Sequence, residues 1–246
     1  MTAKSDPGRS LALLWGSHQR PGRSGLTVRA IVTAAIELAD AEGIDAATMR
    51  RVAERLGAGT MSLYTHVPGK TELTDLMIDT VIGELYTGVD DPASKGGWRD
   101  GLRYIADRNW DLTLRHPWLL DVTGGRPTLG PHAFLKYEAE LRVLEGIGLT
   151  DLQQDSVLTL VLTHVEGVAR THAGLAKAQR ESGMTEQEWW RATAPVLERV
   201  AHGDYPVASR VGQASSEVYQ ASSDPAHAFA FGLDVILDGV QRLIDK

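Results

Sequence analysis

The sequence predicts an all-α protein, with a three-helix helix-turn-helix head followed by a larger helical body. Three observations carry this. Apolar residues recur at helical spacing from Thr27 towards the C-terminus, strand-like alternation is nowhere sustained, and three short helical stretches near the N-terminus are parted by glycine turns.

Residues 1–25 are rich in Gly, Arg, Ser and Pro and read as a flexible basic arm. Thr27 is an N-cap candidate, and Val28, Ile31, Ala35, Leu38 and Ala39 give the first helix its apolar stripe, which Gly43 ends. Thr48 caps the second helix, with Val52, Ala53 and Leu56 facing inward and Gly57 as its stop. Thr60–Val67 follows within a few residues, holding Leu63 and Val67 inward, and Pro68-Gly69 breaks it. A longer helix is expected over Lys70–Tyr86, Gly88–Gly97 reads as a linker, and the body's helices are expected at about 98–115, 131–147, 151–181, 185–202 and 225–244. Gly203–Asp224 is polar and is expected to be partly disordered. The domains are then 1–25 arm, 26–75 head and 76–246 body.

Composition narrows the function. The 246 residues are 43% hydrophobic, enough for a sizeable core, and include no cysteine, which excludes disulfides, zinc-thiolate sites and cysteine nucleophiles. The longest apolar runs, such as Val157–Val165, are broken by Thr and His and fall short of the roughly 20 residues a membrane span needs. Leu11–Trp15 is too short for a signal peptide, so the chain reads as soluble and cytoplasmic with no membrane partner. The net charge of −7 is unevenly spread: residues 1–75 carry nine basic and eight acidic side chains, the remainder sixteen and twenty-four. A near-neutral head with a basic arm on an acidic body suits a small DNA-reading unit attached to a larger soluble domain. No nucleophile elbow, phosphate loop or His-Glu-x-x-His helix appears, so the chain does not read as an enzyme.

The stretch Thr48–Leu73, with Leu63-Tyr64-x-His66-Val67 and Lys70-x-x-Leu73, resembles the head of the tetracycline-repressor (TetR) family over about 27–75. A looser similarity continues into the body, where Gly124-Gly-Arg126-Pro127-Thr128 resembles a pocket loop of the tetracycline-repressor subgroup. The resemblance implies a transcriptional repressor of double-stranded DNA that a small-molecule inducer releases. It places Thr60, Met61 and Ser62 at base edges, Tyr64, His66 and Lys70 at phosphates, and Arg50 at a guanine, whose edge suits a forked donor. Met61 stands where the subgroup often has proline and Thr65 where it has tryptophan, so no relative's operator carries over.

In the body, aromatic and polar side chains are mixed on the expected helices, as ligand pockets require. The candidates are Tyr86, Asn109, Trp110, Trp118, Arg126, Phe134, His164 and Glu166, with Arg126 first because the resemblance sets it in the pocket loop. The subgroup's metal-chelating histidine is Val122 here, so a metal–tetracycline chelate is not the expected ligand, and neither a metal nor a cofactor is expected. A homodimer is expected through two helices. One carries Leu158, Val161, Leu162, Val165, Val168 and Ala169; the other carries Phe229, Gly232, Leu233, Ile236, Leu237 and Val240. A two-fold dimer implies a palindromic operator. Arg9, Arg20 and Arg23 of the arm have two readings, a solubilising tail or a DNA-tracking arm. Control by a partner protein, and a helical enzyme carrying a DNA-binding head, stay open as alternatives.

Overall fold

The structure, a computed structural model, describes residues 7–16, 26–123, 125–201 and 205–245. Its regular elements, among those residues, are α-helices and three short 3-10 turns. The head starts at Thr27, whose hydroxyl accepts from Ala30 N (3.1 Å) and opens α2, Val28–Glu42. Thr48 does the same for α3, Met49–Arg55, accepting from Arg51 N at 3.2 Å. Gly57, at φ +62°, turns the chain in a region that favours glycine and delivers it to the five-residue α4, Thr60–Tyr64. Ile31, Ala35, Leu38, Val52, Leu63 and Val67 close a common core.

The helix α5, Lys70–Ile82, leaves the head and enters the body. Beyond it lie α6 (Trp98–Arg115), α7 (Leu119–Val122), α8 (Pro131–Leu141), α9 (Asp151–Ser182), α10 (Glu186–Ala201), α11 (Pro206–Tyr219) and α12 (Pro225–Ile244). Packing of α6, α9 and α12 forms the centre of the body, with Leu102, Ile105, Val161, Leu233 and Leu237 inside. Two ion pairs, Arg99–Asp238 and Arg103–Asp234, run along the outside of the α6–α12 contact.

Four expectations need correction. The arm contains a helix, α1 (Pro7–Leu14), which lies on α5 with Leu13 and Leu14 buried; Arg20 and Arg23 lie outside the described residues. Two leucines at its end supply an apolar anchor that the surrounding polar composition hides. The polar stretch expected to be partly disordered holds α11. Helices expected to end at Tyr86 and at 147 stop at Ile82 and Leu141, the second continuing as a 3-10 turn over Arg142–Leu144. Finally, Leu158, Val161, Val165, Ala169, Leu233, Leu237 and Val240 are buried within one protomer, where α9 meets α12 and α6. Helical periodicity shows that a stripe is covered without showing which chain covers it.

Because Leu63 is fully buried, Leu63→Ala should cost about 2–5 kcal/mol of stability. Met61, two residues earlier and 77% exposed, should change it by no more than about 0.5 kcal/mol on substitution to Ala. Urea denaturation midpoints of the two variants test the contrast.

Candidate functional site

The outer face of the head is built from α3, α4 and the start of α5. Leu63 pins α4 to the core, which turns Met61 and Tyr64 outward, while Thr60, Ser62 and His66 are half-buried along the same helix and its end. The arginines of α3 divide into two kinds. Arg51 grips both oxygens of Glu42 (2.9 and 2.6 Å), and Arg55 puts two nitrogens on one oxygen of Glu37, so both tie α3 to α2. The Arg51 hydrogen bond holds the Glu42 carboxyl below its ordinary range. Arg50 is different: its side chain is 82% exposed and its partner is Glu54, one turn along the same helix. An exposed i,i+4 pair contributes little, so Arg50 is available to an outside acceptor at small cost. Lys70, at the first position of α5, is exposed and 3.5 Å from the exposed carboxylate of Asp45. Arg50, Met61, Tyr64 and Lys70 are thus the outward side chains of this face, and its arrangement suits contact with a polyanion.

In the body the structure gathers some of the candidates and separates others. Tyr86 and Asn109 meet around a residue that sequence reasoning missed, Glu140 of α8, which is completely buried. Its carboxylate accepts from Tyr86 Oη (2.7 Å), Asn109 Nδ2 (3.0 Å) and Lys136 Nζ (2.6 Å). Burial, and then the Glu140 charge, push the Tyr86 phenol above its ordinary range, so it stays a donor. The signal for Glu140 was its place one turn after Lys136 on an otherwise inward-facing helix position. Nearby on α6, Trp110 is half-buried against His172 and Phe229 (ring centroids 5.7 and 5.0 Å), and His164 stacks on Phe229, with Nε2 3.0 Å from the Phe229 carbonyl oxygen.

The other four candidates lie apart from these two groups. Trp118 is buried but turns to the head, donating from Nε1 to Asp40 Oδ1 at 2.7 Å, where it sits beside His116. His116 bridges two carboxylates, with Nδ1 2.7 Å from Asp40 on α2 and Nε2 3.3 Å from Glu84 just past α5. Phe134 is on the outside of α8, edge-on to Trp15 at the end of α1. Arg126 and Pro127 are exposed between α7 and α8, while Gly124 lies outside the described residues. Glu166 is half-buried and pairs with Arg170 on its own helix. Among the described residues no group of three or more His, Asp or Glu could hold a metal ion.

Two family models match successive parts of the chain. Residues 31–77 match the model of the tetR family of bacterial regulatory proteins, and residues 91–244 match that of the tetracyclin repressor-like C-terminal domain. The HTH-type transcriptional repressor DrrR1 of Streptomyces coeruleorubidus is 42% identical over 99% of this chain and 88% of its own. Among solved structures, apo ActR from Streptomyces coelicolor has a TM-score of 0.66 at 27% identity, covering 89% of this chain and 97% of its own. ActR in complex with actinorhodin gives 0.64 at 27% identity, covering 90% and 99%.

The Glu140 cluster makes a test. Lys136→Met leaves a buried carboxylate without its counter-charge and should cost about 3–5 kcal/mol, against about 1–3 kcal/mol for Tyr86→Phe, which removes one donor and no charge. Thermal or urea unfolding of the two variants decides the order.

Proposed function

The chain belongs to the tetracycline-repressor family of helix-turn-helix transcriptional regulators, and we propose that it is a repressor that leaves a two-fold operator when a small molecule enters its body. The observation that carries this reading is the continuity of α5, which starts among the outward side chains of the head and ends beside the buried Tyr86–Glu140–Asn109 cluster. DrrR1 is named a repressor, and the neighbour ActR is known in complex with actinorhodin.

In this reading Arg50 takes a guanine edge, Thr60, Met61 and Ser62 meet base edges or thymine methyls, and Tyr64, His66 and Lys70 hold phosphates. Tyr86, Asn109, Trp110 and His164, with Glu140, line the effector's site, and Arg126 approaches from the α7–α8 loop. Val122 offers no metal ligand, so the effector is not a metal chelate of the tetracycline kind and no cofactor takes part. Two heads serve two half-sites, which needs a second copy of the chain. Its contact surface is the outer face of α9 and α12, where Leu160, Phe231 and Val235 are exposed, together with the uncovered apolar residues Trp189, Leu197 and Val211 of α10 and α11. No described helix is long and apolar enough to cross a membrane, which fits a cytoplasmic regulator.

Selection of bound duplexes from a random pool should enrich a near-palindrome with half-sites about one helical turn apart. Failure to enrich one removes the reading. With that duplex, Arg50→Ala should lose about 1–3 kcal/mol and relax preference at one base pair per half-site, whereas Lys70→Ala should weaken all sequences alike and reduce the salt slope by about one unit per head. A thermal-shift screen of small molecules should yield a compound that raises melting and frees the duplex; compounds that raise melting without freeing it count against effector-controlled release.

A further inference from the structure

The first turn of α8 has no capping side chain of its own. Its N-cap is Gly130, followed by Pro131, and the first-turn amides of any helix lack intrahelical acceptors. Here the acceptor comes from another element. Asp79, on the inward side of α5 and 4% exposed, accepts from Ala133 N through Oδ1 (3.0 Å) and from His132 N through Oδ2 (3.5 Å); Oδ2 also lies 3.0 Å from His132 Nδ1. A carboxylate on the second and third amides is the arrangement of an N-cap, and a negative charge there is favoured by the helix dipole. The fit is close. A Cβ on Gly130 would run into Asp79 Oδ1 and Cγ, and one on Gly83 would come within 2.9 Å of the His132 ring. The space a serine or asparagine cap would fill is already taken by the α5 carboxylate.

The same end of α8 is also held by α1. At the end of α1, Trp15 donates from Nε1 to the Leu129 carbonyl at 3.0 Å and meets the Phe134 ring edge-on at 5.8 Å. Residues 129–134, which follow the exposed 125–127 segment after Thr128, are therefore held by both α5 and the tail of α1.

We infer that Asp79 is the positioning residue that couples the start of α8 to the head: its cap holds α5, and through α5 the DNA-reading face, in register with the α7–α8 loop. The inference rests on the proposed function. A loop movement that lifts the first turn of α8 must either break the cap, stranding a buried carboxylate, or drag α5 with it. Substitution of Asp79 uncouples the two without touching any side chain of the DNA face or of the Tyr86–Glu140–Asn109 cluster.

Coupling between two sites is reciprocal, so operator DNA is itself a probe of the cap and no effector is needed. The amides of His132 and Ala133 have no other acceptor, and their hydrogen exchange reads the Asp79 contact directly. In the full-length wild-type protein, the duplex enriched by selection should slow exchange at these two amides by roughly 5-fold or more, the lower end of ordinary allosteric coupling. In Asp79→Ala the change should fall below about 2-fold while the duplex still binds, and Asp79→Asn, which keeps an acceptor oxygen, should retain part of it. An unresponsive His132–Ala133 pair in the operator-bound wild type overturns the inference even if both variants fail to fold, and so does full protection in Asp79→Ala. Absence of any enriched duplex overturns the proposed function, and this inference with it; an enriched duplex with a silent cap overturns the inference alone.

Discussion

Everything in this protein depends on α5 being buried from two sides. Seven of its thirteen residues are buried, among them Leu73, Leu76, Met77, Ile78 and Val81, and charged Glu72 and Asp79 are among the seven. A surface helix needs one apolar stripe; a helix shared by two cores needs more. One side of α5 packs on α2 and completes the head, and others meet α1 and α8. The buried apolar core consequently runs as one continuous cluster from Leu13 to Val240 and does not separate into a head core and a body core. At about 25 cal/mol per Å² of apolar surface, breaking that continuity would be expensive, so the head and α5 are expected to move as one body.

Electrostatics in the head follow a division of labour that its near-zero net charge conceals. Arg51 and Arg55 are consumed by Glu42 and Glu37 and serve to fasten α3 to α2. Their carboxylate partners lie on the α2 side, which leaves the face of α3 and α4 with Arg50 and Lys70, each opposed by a single exposed acid. The total charge therefore carries little information about nucleic-acid binding, whereas the pairing of individual side chains carries a good deal.

The head was largely legible in the sequence because each of its boundaries rests on local chemistry. Thr27 and Thr48 cap as their residue type predicts, Gly57 takes the positive φ its turn needs, and Leu63 alone holds α4. The long helices of the body were legible too, from their apolar period. What stayed hidden was relational. The stripes of α9 and α12 look the same whether they meet each other or a second chain. The burial of Glu140 depends on Tyr86 and Asn109, 54 and 31 residues away in sequence. Leu13 and Leu14 anchor α1 only because α5 offers a surface for them. Trp118 reads as pocket aromatic from composition but is drawn to the head by one carboxylate, Asp40.

That last contact bears on how a signal could cross the molecule. Among the described residues, two carboxylates tie the head and α5 to the rest of the body. Asp40, near the end of α2, receives Trp118 and His116 from the α6–α7 turn, and Asp79, in the last turn of α5, caps α8. The residues between these two points, α7 and the loop up to Gly130, form a short bridge whose ends are fastened to different helices of the same rigid unit. With both anchors on one rigid unit, a displacement of the bridge carries α2 and α5 together. An effector that displaced it would therefore act on α2 and α5 together, and would shift the population of head positions only by the difference in its affinity for the two bridge conformations. Tight binding to both conformations would leave DNA affinity unchanged, so release depends on how differently the two bridge conformations accommodate the effector.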